Sequence, residues 1–207
     1  MSLRERLAFW LYPSTYTLPA RLAALEPGLE PALAERLLAS PRLAFRLSRR
    51  IIVRLGLVAG PPPEDSPGFV LARQPAAELM RLARTCGALL HHTAVRSVVL
   101  KNERMALRGF LGLDAHELAL TRAPFLRLPP PPPVNGTLET AIERDGLACL
   151  AARLASEPKG LAGRVMLKLE PGGGFDGPGG DLAGDAGRRI FSRICMEGSS
   201  AWRAFSS

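Results

Sequence analysis

Cysteine, histidine, lysine and aromatic residues are all scarce in this chain of 207 residues, and each scarcity closes off a class of chemistry. The three cysteines, Cys86, Cys149 and Cys195, stand far apart without a C-x-x-C spacing. That argues against a zinc knuckle or a disulfide framework and fits a reducing cytosol. Of the three histidines, His91 and His92 are adjacent, so on a helix they point about 100° apart and cannot clasp one metal ion. His116 has no second ligand four residues away, so no metal is expected. Aromatics make up 6% of the chain and do not interleave with basic residues, which weighs against a base-stacking surface. No stretch approaches the ~18 uncharged apolar residues of a membrane span. The opening Met-Ser-Leu-Arg-Glu-Arg meets charge too early for a secretory signal, so a cytosolic soluble or peripheral protein is expected.

Catalytic signatures are equally thin. No G-x-S-x-G elbow is present, and no Ser or Cys is locally paired with a His and an acid. The glycine-rich stretch 172–180, GGGFDGPGG, lacks both the Gly-Lys-Ser/Thr ending of a phosphate loop and the G-x-G-x-x-G spacing. Its neighbouring Asp176 and Asp181 make one imperfect copy of a calcium-binding glycine-aspartate unit, which is not a repeat. The expectation is no catalytic residue and no cofactor.

What is present is ordinary globular material, 47% hydrophobic and 22% charged. Twenty-seven basic residues against 19 acidic ones give a formal charge of +8, and only Lys101, Lys159 and Lys168 are lysines. Acidic proteins, nucleic acid and anionic membrane surfaces all stay open as partners. Proline and glycine punctuate stretches with helical periodicity. Leu3, Leu7, Trp10 and Leu11 form a first stripe expected to pack inward, closed by Pro13. Pro19, Pro31 and Pro41 each stand at the start of a further short helix, where a missing N–H costs nothing. The clearest begins at Ser40-Pro41, carries Leu43, Leu47, Ile51 and Leu55 on one face, and stops at Gly56.

Residues 60–68, GPPPEDSPG, read as a linker between an N-terminal helical lobe (1–59) and a main helical lobe (69–207), the alternative being one packed domain. In the main lobe Pro75 opens a helix with Leu79, Leu82, Leu89 and Leu90. Asn102 and the pair Asp114/Glu117 are candidate caps, and Pro129–Pro133 form a polyproline spacer. Thr137 caps a helix striped by Leu138, Ile142, Cys149, Leu150 and Leu154. Val165, Leu167 and Leu169 alternate, so one small strand competes with helix over 161–169, and a last helical stretch carries Ile190, Phe191, Ile194 and Cys195. The pattern predicts an all-α fold, an irregular bundle with at most one minor β element.

The basic residues are informative where they align. Arg42, Arg46, Arg50 and Arg54 step by four, with Arg49 beside Arg46, along the side of the helix next to its apolar stripe. Three readings stand: a solvated face, an anionic-lipid or nucleic-acid surface, and a docking face for an acidic protein, which the planar guanidinium fork suits.

Residues 87–100, GALLHHTAVRSVVL, resemble the SctK family of bacterial type III secretion systems, to which YscK belongs. The family pattern is a glycine, a Leu-His, a β-branched residue with Arg and an apolar pair. Here it falls on Gly87, Leu90, His91, Ala94, Val95, Arg96, Val99 and Leu100. Pro13-Ser14-Thr15-Tyr16 resembles the family's Pro-small-x-Tyr. Gly146-Leu147-Ala148, Glu157-Pro158 and Val165–Leu169 resemble its C-terminal part. The resemblance implies a non-catalytic adaptor of the cytosolic sorting platform, needed for effector secretion. Such an adaptor links the cytoplasmic domain of the inner-membrane ring protein SctD to the pod protein SctQ, and indirectly meets the SctL stalk and SctN ATPase. It would sit at the cytosolic face of the bacterial inner membrane through protein contacts alone. Pro13, Tyr16, Gly87, Leu90, His91 and Arg96 are then structural, and the stripe of Arg42, Arg46, Arg49, Arg50 and Arg54 is one docking face. A small basic helical nucleic-acid-binding or regulatory protein is the competing reading.

Overall fold

The computed structural model describes residues 2–57, 67–121, 123, 130, 133–155, 157, 159–175, 187–189 and 191–192. Among these every regular element is helical, so the fold is all-α. The helices are α1 (Leu3–Leu11), α2 (Pro19–Leu25), α3 (Pro31–Leu38), α4 (Ala44–Arg54), α5 (Pro67–Ala72), α6 (Ala76–Leu90), α7 (His92–Ser97), α8 (Lys101–Leu111), α9 (Leu113–Thr121), α10 (Leu138–Leu154) and α11 (Lys159–Met166). A 3-10 turn, Pro13–Thr15, follows α1. Two compact units result, one of residues 1–75 and 157–172, the other of residues 76–156 and 173–207. The division therefore falls between α5 and α6, and α11 returns to the first unit, whereas the linker reading of 60–68 would assign both α5 and α11 to the second. Pro67 and Gly68 open α5; residues 60–66, most of the polyproline run, and Asp176 and Asp181 lie outside the described residues.

The minor strand expected within 161–169 is not there. Leu161 and Val165, four residues apart, share the buried face of α11, and turns at Leu167–Leu169 bring Leu167 and Leu169 inward as well. Three alternating residues are too few to distinguish a strand from a helix end followed by a turn. Proline does mark the starts of α2 and α3, at the first helical position of each. The helix expected from Pro41 instead begins at Ala44, because residues 40–44 tighten into i to i+3 bonds (Leu43 N–H to Ser40 O, 3.1 Å; Ala44 N–H to Pro41 O, 3.3 Å). Gly56, at φ +57°, closes it: its N–H bonds Val53 O and that of Leu57 bonds Ile52 O, a Schellman pair. Asn102 lies inside α8, whose N-cap is Leu100, and Asp114 lies inside α9, whose first turn bonds back to Gly112 O. The α1 stripe is also reversed: Trp10 is buried, but Leu3, Leu7 and Leu11 are exposed.

In the first unit, Leu22, Ala34, Ile51, Leu57 and Leu167 form the core, drawing one residue or more from α2, α3, α4 and the returning segment. Each fully buried leucine or isoleucine there contributes about 1.5–3 kcal/mol. Three cations fasten this segment. Arg21 donates to Leu169 O (2.6 Å) and Glu170 O (2.8 Å). Arg164, fully buried, donates to Gly160 O and Trp10 O (both 2.8 Å) with its guanidinium 3.6 Å from the Trp10 ring centroid. Lys168 places Nζ 5.0 Å from the centroids of both Phe9 and Tyr16 and donates to Ala72 O (2.7 Å) and Gln74 O (2.8 Å) at the C-terminal end of α5.

In the second unit α6 and α10 meet backbone to backbone. A Cβ on Gly87 would lie 1.9 Å from Ile142 O, and one on Gly146 would lie 1.9 Å from Ala83 O, so neither position admits a side chain without separating the helices. Ala88, Val95, Leu107, Leu111, Ala115, Ala119 and Ile142 form the core beside this crossing.

Candidate functional site

Helix α4 is fixed from behind. Pro13 starts the 3-10 turn, and Ser14, buried, meets the buried Ser48 of α4 through a hydroxyl pair at 2.8 Å. Ser14 N–H donates to Ser48 Oγ (3.2 Å) and Ser14 Oγ donates to Ala44 O (3.0 Å). Tyr16 completes the turn: its hydroxyl donates to Phe9 O (3.1 Å) and its ring stacks on Phe9 at 4.9 Å. Burial pushes the Tyr16 phenol well up, although Arg164 beside it opposes the shift. The Pro-Ser-Thr-Tyr segment thus holds α4 against the first unit. Ser48, absent from the sequence reading, is the partner that makes this attachment polar.

The opposite face of α4 is open. At 100° per residue, Phe45, Arg46, Arg49, Arg50, Val53 and Arg54 sweep about half the helix circumference, and all six are exposed, Phe45 at 62% and Val53 at 74%. They line a shallow depression of about 580 Å³ whose seventh contributor is Glu26, at the end of α2. Arg50 grips the Glu26 carboxylate with both Nε and Nη2, which holds that carboxyl below the usual range. Arg54 donates to Leu25 O at 3.4 Å. Arg42, Arg46 and Arg49 form no ion pair among the described residues. Arg42 lies in the turn before α4, off the depression, so the five arginines are not one continuous helical row. A second depression of about 300 Å³, lined by leucines including Leu22, Leu29, Leu37 and Leu47, shares the Glu26–Arg50 pair. Phe45 and Val53, two apolar residues eight apart among the arginines, were legible on a helical wheel; Glu26 was not, because nothing local links it to Arg50.

The remaining motif residues lie in the second unit. Gly87 is at the α6–α10 crossing, Leu90 is fully buried, and His91 follows it with Nε2 2.7 Å from Asp145 Oδ2. Arg144 holds the same carboxylate through Nε (2.7 Å) and Nη2 (3.0 Å). Burial pushes Asp145 up, but the hydrogen bonds from His91 and Arg144 outweigh it and leave the carboxyl below its ordinary value. Arg96 is exposed at the end of α7 and does not join His91. Val99 and Leu100 are exposed too, at 81% and 63%. Cys149, one turn beyond Asp145, has its thiol pushed up to about 12 by burial and by that carboxylate, so it is a packed, unreactive thiol. Among the described residues no group of acids, histidines and cysteines could hold a metal ion, and no helix is long and apolar enough to cross a membrane.

Among the described residues the first unit carries an arginine-lined open face, and the second a buried His91–Asp145 pair held by the part-exposed Arg144. The profile of the family described as YOP proteins translocation protein K (YscK) matches residues 9–178, most of the chain. The chain belongs to that family and is a type III secretion translocation-related protein. Comparison with curated proteins gives no match, and comparison with solved structures gives none either.

Proposed function

We propose that the protein is a non-catalytic adaptor of the injectisome sorting platform at the cytosolic face of the inner membrane. In this reading it joins an SctD-like ring protein to an SctQ-like pod protein, with SctL and SctN reached through the pod, and the α4 face is one of its docking surfaces. The observation that carries the docking role is the open arginine face itself: Arg42, Arg46 and Arg49 have no ion-pair partner among the described residues, while α4 is anchored on its other side by Ser14 and Ser48. No acid at i+3 or i+4 balances these charges within the helix, because α4 contains none. Membership of the secretion family supplies the context.

The test is a triple variant, Arg42→Glu, Arg46→Glu and Arg49→Glu, which leaves the Glu26–Arg50 pair in place. It is expected to fold normally by circular dichroism and to lose pull-down of one partner while retaining the other. Unchanged capture of both an SctD-like and an SctQ-like partner by the folded variant removes the docking role. The competing nucleic-acid reading requires gel-shift affinity falling steeply between two salt concentrations.

A further inference from the structure

We infer that the occupant of the α4 face is an acidic amphipathic helix of a partner protein, laid along α4 with apolar side chains against Phe45 and Val53 and carboxylates on Arg46 and Arg49. The inference rests on the docking reading above and names what docks. Charge gives the first reason. The one acid in the depression, Glu26, is already held by both nitrogens of the Arg50 fork, so the face contains its own example of how it takes a carboxylate. Arg46 and Arg49 present the same fork with no carboxylate in it among the described residues, and arginine's planar geometry is matched to bidentate carboxylate pairing.

Spacing gives the second. Phe45 and Val53 are eight residues apart, about 12 Å along the helix. Two turns of a facing helix cover the same length, so residues at i and i+7 or i+8 reach both anchors. A segment binding by strand addition would need a free backbone edge to pair with, and the interior of α4 offers none because its amides and carbonyls are bonded within the helix.

Shape and polarity distinguish a protein from a lipid surface. The apolar stripe that would enter a bilayer, Leu47, Ile51 and Leu55, is turned into the unit, with Ile51 in its core. What remains outside is two apolar side chains in a shallow concavity, too little apolar surface to enter a bilayer.

The experiment places a photo-reactive phenylalanine analogue at position 45 or 53 of the full chain in cells assembling the secretion apparatus, and identifies the adduct by mass spectrometry. The expected adduct is one protein segment in which acids outnumber basic residues and apolar residues recur at helical spacing. A synthetic peptide of that segment should bind the purified full chain. Phe45→Ala should weaken it about 10- to 30-fold. Arg46→Glu with Arg49→Glu should weaken it further, with recovery when the facing peptide carboxylates are changed to lysine. Adducts on lipid, on nucleic acid or on a neutral or basic segment overturn the inference, as does the absence of an adduct at both positions. If the triple-arginine variant loses a partner while the adduct falls on a segment of another kind, the docking role stands and the acidic helix is wrong. If it loses no partner, both fall.

Discussion

Replacing Lys168 by methionine tests the logic of the first unit most sharply, because two opposing effects should exchange dominance with pH. The ammonium is buried beside the stacked Phe9 and Tyr16 rings, with two carbonyl acceptors and no carboxylate in contact among the described residues. Burial, and the charge of Arg73 after it, depress its pKa from 10.5 to about 8. The unfolded chain therefore binds more protons than the folded one between pH 8 and about 10.5, so stability rises with pH across that window. Below pH 8 both states carry the charge and the fold bears the full cost of burying it. At 1.36 kcal/mol per pKa unit the gain approaches about 3 kcal/mol, and roughly 2–3 kcal/mol of it is present by pH 10.

Tyr16 acts in the opposite sense. Its raised folded pKa means that stability falls once the unfolded phenol ionises above about pH 10. Lys168→Met removes the charge but strands the carbonyls of Ala72 and Gln74, at a cost of about 1–3 kcal/mol. At pH 7 the variant is expected to lie within about 1 kcal/mol of the parent, because loss of the buried charge offsets loss of the bonds. At pH 10 the parent has lost that burial cost, and the variant should be the less stable by about 2 kcal/mol. Urea unfolding followed by fluorescence in a Trp202→Phe background, where Trp10 is the one remaining tryptophan, reports on this unit directly, since Trp10 is buried within it. Subtracting the two profiles cancels Tyr16 and every other shared group. A difference that stays flat from pH 7 to pH 10 would refute the reasoning.

Gly87→Ala should destabilise the second unit by about 2–4 kcal/mol despite its better helix propensity, because the new methyl meets Ile142 O; thermal melts of Gly87→Ala and Gly146→Ala, each milder than their valine counterparts, check this. Asp145→Asn should cost about 3 kcal/mol at pH 7. Because Asp145 has a lowered folded pKa, its contribution is present above about pH 4 and lost as pH falls through the folded value, so the variant's acid-unfolding limb should be shallower. In a double-mutant cycle, Ser14→Ala and Ser48→Ala should couple by about 1 kcal/mol in urea unfolding, while additive losses would detach the Pro-Ser-Thr-Tyr turn from α4.

The parts of the fold that obey backbone rules were legible in the sequence. Pro19 and Pro31 open helices because proline fits only the first turn, and Gly56 closes α4 because its φ is positive. Thr137 caps α10 through its hydroxyl, accepting from Thr140 N–H at 3.2 Å. The errors have a common origin in tertiary contacts. Nothing local shows that α1 turns Trp10 inward and Leu3, Leu7 and Leu11 outward, since the choice depends on Arg164, 154 residues away, reaching Trp10 O. The partner of His91 stands 54 residues on, and the acceptors of Lys168 are main-chain oxygens that carry no side-chain signature. The arginine alignment on α4 was visible, but which of its members are held, Arg50 by Glu26 and Arg54 by Leu25 O, depends on where α2 ends.

The glycine contact between α6 and α10 has a mechanical consequence. Packed helices usually shear by letting interdigitated side chains change rotamer as one element slides over the other. At Gly87 and Gly146 there are no side chains to reorganise, and the space a Cβ would take is already filled by a carbonyl oxygen of the facing helix. A load applied to one of these helices is therefore handed to the other with little give, and the pair behaves as a strut.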